Sequence, residues 1–208
     1  MGRQRKVRSD KKVDCKPTVP VELKECIYRI SYVTNTPVKD IAEIICVSGL
    51  KSKKVIGLLS DHLRRDLQIG NTFYIGDLDR ESLQKMKNTK TERITTRFNQ
   101  NDFESIRALA YSLDVTPTRT AAILLDKTIH HTNIVNRLAK EYVSGHLNES
   151  KMKELKKIIY YINRNGSSSE KISWVNLLSY FYDELKDGSV SMSKTISNWI
   201  ENINQKMS

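Results

Sequence analysis

Hydrophobic and polar positions alternate over residues 91–98, and this alternation predicts a short β-strand. One face of the strand carries its less polar side chains, Ile94, Thr96 and Phe98, and the other face carries Arg93, Thr95 and Arg97. A single strand cannot satisfy its own backbone hydrogen bonds, and strands that would complete a larger sheet are scarce elsewhere in the sequence. We therefore expect this strand to pair with the same strand of a second copy, in an intertwined homodimer.

Two amphipathic helices are predicted directly after the strand, joined by a turn at residues 114–118. The two arginines and the threonine on the outward face of the strand suit base edges and phosphates. A two-stranded ribbon is also narrow enough to enter the major groove of DNA. Residues 91–129 therefore resemble the ribbon-helix-helix DNA-binding family. The alternative is an ordinary strand-helix-helix fragment of a larger α/β fold, with the arginines as solvated surface residues.

The resemblance implies specific roles along this segment. Asn99 is expected to cap the first helix, with Asp102 in the second position of a capping box. Asp114 stands where the family usually has glycine, and aspartate tolerates the left-handed conformation that this position needs. Thr96 stands where the family usually has an aliphatic residue. The buried stripe of the two helices is expected to comprise Phe103, Ile106, Leu109, Ala110, Leu113, Ala121, Ala122, Leu124, Leu125 and Ile129.

In that family the outward strand residues read bases, while the N-terminus of the second helix holds a backbone phosphate. The resemblance therefore assigns base reading to Arg93, Thr95 and Arg97. It assigns phosphate binding to Thr116, Pro117, Thr118 and Arg119, with Thr116 as the N-cap and Pro117 as the first residue of the helix.

Composition agrees with a polyanionic partner. The chain has 35 Lys and Arg against 24 Asp and Glu, which gives a formal net charge of +11. No apolar run approaches the length of a membrane span, and the N-terminus is charged, so we expect a cytoplasmic protein with no membrane contact. Three widely spaced cysteines, Cys15, Cys26 and Cys46, suit a reducing compartment.

The first 20 residues are predicted to form a basic disordered arm, because seven Lys and Arg face only two Asp and prolines stand at positions 17 and 20. Such arms add phosphate or minor-groove contacts. The candidate contacts are Arg3, Arg5, Lys6 and Arg8. The alternative is a solvated tail that only aids solubility.

Residues 21–88 are predicted to form a second domain of helix-turn-helix type. Helices are expected at 21–33, from 36 onwards and, after a break at Ser48-Gly49, at 51–65. A hairpin around Gly70-Asn71 would complete a winged-helix layout. Secondary DNA contacts are then expected from Lys51, Ser52, Lys53, Lys54, Arg64 and Arg65. The alternative is a helical packing domain whose charged helix faces water.

Residues 134–208 are predicted to form a C-terminal helical domain, with helices at 134–146, 149–163, 171–185 and 192–203. Its tyrosines and tryptophans belong either to the core or to a surface that docks a protein partner. Catalysis is a poor fit, because the sequence has no phosphate-binding glycine loop, no H-E-x-x-H motif and no nucleophile elbow. His130 and His131 are adjacent on a helix and point to different sides, so we expect polar surface there and no metal site.

Together these patterns predict a mainly α protein with a central ribbon-helix-helix dimerisation domain at 89–131. The predicted function is sequence-specific binding of double-stranded DNA by a homodimer, with higher-order binding on repeated sites. It would act as a repressor, or as a transfer-origin (relaxosome) or partition accessory factor, of a bacterial plasmid, phage or conjugative element. The alternative is a protein-interaction adaptor or antitoxin in which the ribbon only dimerises. RNA is a weaker candidate, because its deep, narrow groove excludes a ribbon. No enzyme activity and no cofactor are expected.

Overall fold

A computed structural model describes residues 11–83, 89–135, 137–138 and 149–165. The fold over these residues is mainly helical, with small antiparallel sheets. The helices are α1 (Val21–Thr34), α2 (Val38–Lys51), α3 (Lys53–Ser60), α4 (Gln100–Leu113), α5 (Pro117–His131) and α6 (Glu149–Asn165). The strands are β1 (Val13–Cys15), β2 (Thr18–Pro20), β3 (Leu67–Ile69), β4 (Thr72–Tyr74), β5 (Thr91–Arg93) and β6 (Thr96–Phe98).

The chain divides into two compact units. The first contains the described residues of 1–27 and 37–128, and the second contains those of 28–36 and 129–208. None of the described helices combines the length and the apolar composition that a membrane span requires.

The predicted strand at 91–98 finds its partner inside the same chain. β1 pairs antiparallel with β6, and β2 pairs antiparallel with β5, in one continuous register from Val13 opposite Phe98 to Pro20 opposite Thr91. The argument that an unpaired strand requires a second copy was therefore wrong, because residues 13–20 supply the missing strand. The prediction of a disordered arm over residues 1–20 was likewise wrong for residues 13–20.

Pro17 explains why the ribbon is divided into two short strand pairs, β1 with β6 and β2 with β5. The backbone amide of Ile94 donates to the carbonyl oxygen of Pro17 at 3.0 Å. Proline has no amide hydrogen, so the reciprocal bond of this pair cannot form and the ladder is interrupted there. Pro20 lies opposite Thr91 in a non-hydrogen-bonded pair, so its nitrogen faces the open edge of the ribbon and costs the ladder nothing.

Burial alternates along both strands of the ribbon. Cys15, Pro17 and Val19 are buried on one strand, and Ile94, Thr96 and Phe98 on the other. The inward set predicted for residues 94, 96 and 98 is thus confirmed. Helices α2 and α4 pack against β6. The hydroxyl of the buried Thr96 donates to the carbonyl oxygen of Lys39 at 3.2 Å, so its polar group is satisfied inside the core.

The predicted N-cap of α4 and the left-handed residue after the helix are confirmed, whereas the predicted capping box is not formed in the usual way, because the Asp102 carboxylate accepts from the side-chain amide of Asn99 at 2.6 Å. Asn99 is the N-cap of α4, and its side-chain oxygen accepts from the amide of Asp102 at 2.8 Å. The rings of Phe98 and Phe103, which flank the cap, stack with centroids 6.5 Å apart. Asp114 ends the helix in the left-handed conformation, with φ of 58°.

A strand, a helix, a left-handed residue and a second helix occur twice along the chain. Asn35, with φ of 52°, ends α1 as Asp114 ends α4, and the two residues are 79 positions apart. The buried residues of the two ribbon strands are related by the same offset of 79 positions: Cys15 corresponds to Ile94, and Val19 corresponds to Phe98. The described residues therefore contain an internal repeat, and its two strands pair with each other.

Helices α2 and α5, the second helices of the two copies, approach each other closely through Gly49. A Cβ atom at this position would collide with the hydroxyl oxygen of Thr128 and lie 3.2 Å from a methyl carbon of Leu124. The Sγ atom of Cys46 also lies 3.6 Å from the carbonyl oxygen of Ala121. The helix break predicted at Ser48-Gly49 was therefore wrong. Gly49 lies inside α2, and its lack of a side chain allows α5 to approach α2 closely.

The predicted hairpin around Gly70 is confirmed, since β3 and β4 pair across it. The third helix of the predicted winged-helix layout, expected at 51–65, is shorter: Lys51 ends α2, Ser52 caps α3, and α3 ends at Ser60. Residues 37–83 and 89–128 belong to one compact unit, so the boundary predicted at residue 88 does not separate two packing units.

The second unit contains α6, which the sequence predicted at nearly the same residues. Its apolar face buries Met152, Leu155, Ile158, Ile159 and Ile162. Arg29 Nε donates to Glu154 Oε2 at 3.1 Å, and the hydroxyls of Tyr32 and Ser150 lie 3.2 Å apart. The helices predicted at 171–185 and 192–203 lie outside the described residues, as does most of the one predicted at 134–146.

Candidate nucleic-acid interface

The outward face of the ribbon presents six exposed side chains, which we call the ribbon face: Asp14, Lys16, Thr18, Arg93, Thr95 and Arg97. The hydrogen bond from Ile94 to Pro17 shows that the inward-facing residues form the hydrogen-bonded pairs of the ladder. The outward residues therefore form the non-hydrogen-bonded pairs, whose side chains lie closer together across the strands. Both strands thus contribute to one compact polar surface.

The register fixes which of these side chains face each other. Asp14 lies opposite Arg97, and Thr18 lies opposite Arg93. Lys16 and Thr95 fall midway between these pairs, at the centre of the ribbon. The ribbon face therefore carries three cations and a single carboxylate, which makes it attractive to a polyanion.

Arg97 and Asp14 form an ion pair, with Nε and Oδ1 2.7 Å apart. Both side chains are more than half exposed, at 52% and 59%, so the pair stabilises the fold by no more than about 1 kcal/mol. Such a pair opens readily in favour of a stronger ligand. Arg93 has no hydrogen-bond or ion-pair partner among the described residues, so its guanidinium keeps all its donors for a ligand.

Two glutamates, Glu92 and Glu43, form ion pairs with lysines. Lys24 Nζ lies 2.6 Å from Glu92 Oε2, and this hydrogen bond and charge hold the pKa of Glu92 below its usual value. Lys12 donates to a carboxylate oxygen of Glu43 at 2.8 Å. These pairs reduce the repulsion that a phosphate would meet at the flanks of the ribbon.

The residues predicted to bind phosphate lie beside one end of the ribbon. A surface pocket of about 360 Å³ joins the end of the ribbon to the start of α5. Its lining comprises Thr18, Pro20, Thr89, Thr91, Thr116, Thr118 and Arg119. Thr116 caps α5, since its hydroxyl accepts from the amide of Arg119 at 3.2 Å, and Pro117 is the first residue of the helix. The pocket therefore combines hydroxyl groups, a guanidinium and a helix N-terminus next to a ribbon end.

Arg64 and Arg65, two of the predicted secondary DNA contacts, both pair with Asp114. Arg64 and Arg65 bind the two carboxylate oxygens of Asp114 at 3.1 and 2.9 Å. The Arg65 guanidinium also lies 4.6 Å from the ring centre of Tyr111. Arg65 first, and then Arg64, hold the pKa of Asp114 below its usual value. These arginines brace the turn between α4 and α5.

The other predicted secondary contacts are distributed differently. Lys51, Lys53 and Lys54 are exposed around the junction of α2 and α3. Ser52 is the N-cap of α3, and its hydroxyl accepts from the amide of Val55 at 3.3 Å. The candidates on the basic arm, Arg3, Arg5, Lys6 and Arg8, lie outside the described residues.

Sequence reasoning missed half of the ribbon face, namely Asp14, Lys16 and Thr18. The signal was present, because these polar residues alternate with Cys15, Pro17 and Val19 as a half-buried strand requires. The turn at residues 35–37, Asn-Thr-Pro, also resembles the turn at 114–117, Asp-Val-Thr-Pro. The high charge and the two prolines of the segment concealed both signals.

Within the described part of the chain, the three cysteines and His130 are buried away from the ribbon face's outward side chains. None of the three cysteines forms a disulfide bond, and all three are buried. Burial raises the pKa of Cys15 to about 11 and that of Cys46 well above its usual value, so both thiols are protonated and inert at neutral pH. His130, expected on the surface, is 6% exposed and lies beside the ring of Tyr161. No cluster of potential metal ligands occurs within the described residues.

Comparison of the chain with protein-family models, with curated proteins and with solved structures gave no match.

Proposed function

We propose that this protein binds double-stranded DNA in a sequence-specific manner, by placing the ribbon face in the major groove. In this proposal the two strand-helix-helix copies correspond to the two halves of a ribbon-helix-helix dimer, joined within one chain. The observation that carries the proposal is the pairing of residues 13–20 with 91–98, which turns a cationic set of exposed side chains into a continuous two-stranded surface.

The chemistry of the ribbon face supports base reading. Arginine donates two hydrogen bonds to the O6 and N7 atoms of guanine, and lysine also contacts these atoms. Threonine contacts either a polar base edge or the methyl group of thymine. Arg93, Thr95 and Arg97, predicted to read bases, are all exposed on this face. Lys16 and Thr18 add the same chemistry from the other strand.

The pocket beside α5 supports a phosphate contact. A ribbon that lies in the major groove brings its ends close to the DNA backbone, where contacts fix orientation without reading sequence. Thr116, Thr118 and Arg119 line the pocket together with Thr18 from the ribbon. Pro117 supplies no amide hydrogen, so its part in the proposed contact is to start the helix whose N-terminus faces the pocket.

The test is a selection from a random double-stranded DNA library at physiological salt. The native protein should enrich a short site, whereas the variant Arg93→Ala, Thr95→Ala, Arg97→Ala should not. Each arginine substitution alone should weaken binding to the selected site by about 1–3 kcal/mol and broaden the preference at one position. We expect the larger effect at Arg93, because Arg97 must first leave Asp14.

Arg107→Ala is the matched control. Arg107 is an exposed arginine on α4, where it pairs with Glu104, so its removal changes the net charge equally without touching the ribbon face. The control should keep the selected sequence and lose little affinity. If Arg107→Ala and Arg93→Ala weaken all DNA sequences equally, the ribbon face reads no bases. If the native protein enriches no sequence, the proposed function is wrong and a protein partner becomes the leading candidate.

The cellular role that we propose is that of a repressor, or of an accessory factor at a transfer origin or partition site, on a bacterial mobile element. Both roles need sequence-specific binding and no catalysis. They differ in where the selected site lies. A site that overlaps a promoter favours the repressor, whereas a site beside a nicking or partition locus favours the accessory factor.

A further inference from the structure

We infer that a single chain reads one DNA site without dyad symmetry, and that it does so in one orientation. This inference rests on the proposed function and adds to it the class of DNA site. A ribbon formed by two identical chains presents identical side chains at positions related by its two-fold axis. Such a dimer therefore selects a palindromic or nearly palindromic site. The ribbon described here is not symmetric in this way, because the outward side chains of its two strands differ.

The register places the pseudo-two-fold axis at the centre of the ribbon. Asp14 lies opposite Arg97 and Thr18 lies opposite Arg93, so the central pair is Lys16 with Thr95. The axis passes between these two residues. Within the ribbon it relates residues that are 79 positions apart in the sequence, and the same sequence offset separates the left-handed residues Asn35 and Asp114.

Side chains related by this axis differ at every position of the ribbon face. The related pairs are Asp14 with Arg93, Lys16 with Thr95, and Thr18 with Arg97. In each pair one side chain is cationic and its equivalent is neutral or acidic. All six are exposed, so these differences face the ligand.

The difference is largest between Asp14 and Arg93. A carboxylate accepts a hydrogen bond from the N4 amino group of cytosine and offers no donor to guanine, whereas a guanidinium does the reverse. The two halves of the ribbon therefore favour different bases at equivalent positions. A palindromic site can satisfy only one half, so inverting half of the preferred site should weaken binding about tenfold or more.

The number of chains on the site follows from the same geometry. Both strands of the ribbon come from one chain, so the surface is complete in one copy. Native mass spectrometry on the shortest selected duplex should therefore find one chain per duplex. The selected motif itself should show no dyad symmetry.

Two variants make the test specific. Asp14→Arg, Lys16→Thr, Thr18→Arg gives both strands the same outward side chains, and the motif that it selects should become palindromic. The second variant adds Arg93→Asp, Thr95→Lys and Arg97→Thr, which exchanges the two outward sets and keeps the net charge. It should select the native motif again, because turning a duplex end for end presents the same bases to the exchanged ribbon.

All six substituted side chains are exposed, so both variants should still unfold cooperatively by circular dichroism. The exchanged variant should keep the native midpoint, whereas the symmetric variant should unfold somewhat earlier, because it places arginine opposite arginine at positions 14 and 97 and at positions 18 and 93. A palindromic native motif, or two chains on the shortest site, would overturn this inference and leave DNA binding intact. A symmetric variant that still selects the native asymmetric motif would show that other residues set the asymmetry, and would also overturn it. Failure of the native protein to select any site would reject the proposed function as well.

Discussion

The substitution Gly49→Ala tests the close approach of α2 and α5. Gly49 lies inside α2, where alanine would by itself stabilise the helix by about 1 kcal/mol. The added methyl group, however, would collide with the hydroxyl of Thr128 and crowd Leu124 at 3.2 Å. Overpacking of this kind costs about 1–3 kcal/mol. We expect a net loss of up to about 2 kcal/mol in the free energy of unfolding.

Gly57→Ala provides the matched control. Gly57 lies inside α3, and a Cβ atom there would have no heavy atom within 4 Å. The substitution should therefore show only the gain in helix propensity, about 0.5–1 kcal/mol. The difference between the two variants isolates the steric contact at Gly49, because the chemical change and the secondary structure are the same.

Urea unfolding followed by far-ultraviolet circular dichroism gives both values by linear extrapolation. A double-mutant cycle with Thr128→Ala then tests whether the loss of stability in Gly49→Ala comes from the collision with Thr128. The two substitutions should be coupled by about 0.5–3 kcal/mol, because Thr128→Ala removes the hydroxyl that the new methyl group meets. If Gly49→Ala stabilises the protein as much as Gly57→Ala does, the two helices are not in contact at this position. The packing of the two copies would then have to be revised.

Three further predictions concern other parts of the first unit. Asp114→Ala should lower the free energy of unfolding by about 1–2 kcal/mol, because alanine is strained in the left-handed conformation, and Asp114→Asn should cost less; comparable losses in urea would refute the conformational argument. Since Arg65 lowers the pKa of Asp114, the contribution of its charge should be present at neutral pH and be lost as the pH falls through the lowered pKa. Asp114→Asn should therefore approach the native stability in acid, whereas Asp114→Ala should keep the part of its loss that comes from backbone strain. Burial raises the pKa of Cys15 to about 11, so this thiol should react slowly with thiol reagents at pH 8 in the folded protein, and fast labelling of the native state would contradict this. The free energy of unfolding should fall between about pH 8.5 and 11, because the thiol of Cys15 ionises in this range only in the unfolded chain. Deletion of residues 1–20 should abolish cooperative unfolding, whereas deletion of residues 1–10 should leave it intact, and equal transitions for both truncations would rule out the ribbon pairing.

Local patterns predicted the second copy of the repeat well. The alternation around Ile94 and Thr96, the cap at Asn99 and the left-handed turn at Asp114 are each set by residues within a few positions of one another. Such signals can be recognised in a sequence, because the residues that interact are only a few positions apart.

The first copy was harder to predict because its constraints are distant. The strand at residues 13–20 exists through its partner at 91–98, and no local pattern reports that pairing. Pro17 argues locally for a loop, yet it costs the ribbon a single hydrogen bond. Gly49 argues locally for a helix end, yet the close contact with α5 requires it. Half of the ribbon face was missed because the charge and the prolines of residues 13–20 concealed their alternation, and because nothing near them identifies the partner strand.

The location of both ribbon strands in one chain has a consequence for dilution. A ribbon made from two separate chains dissociates at low concentration, and its stability depends on how much protein is present. Here the pairing of residues 13–20 with 91–98 is intramolecular, so its equilibrium does not depend on protein concentration. A cell that holds only a few copies of this protein would therefore still hold complete ribbons.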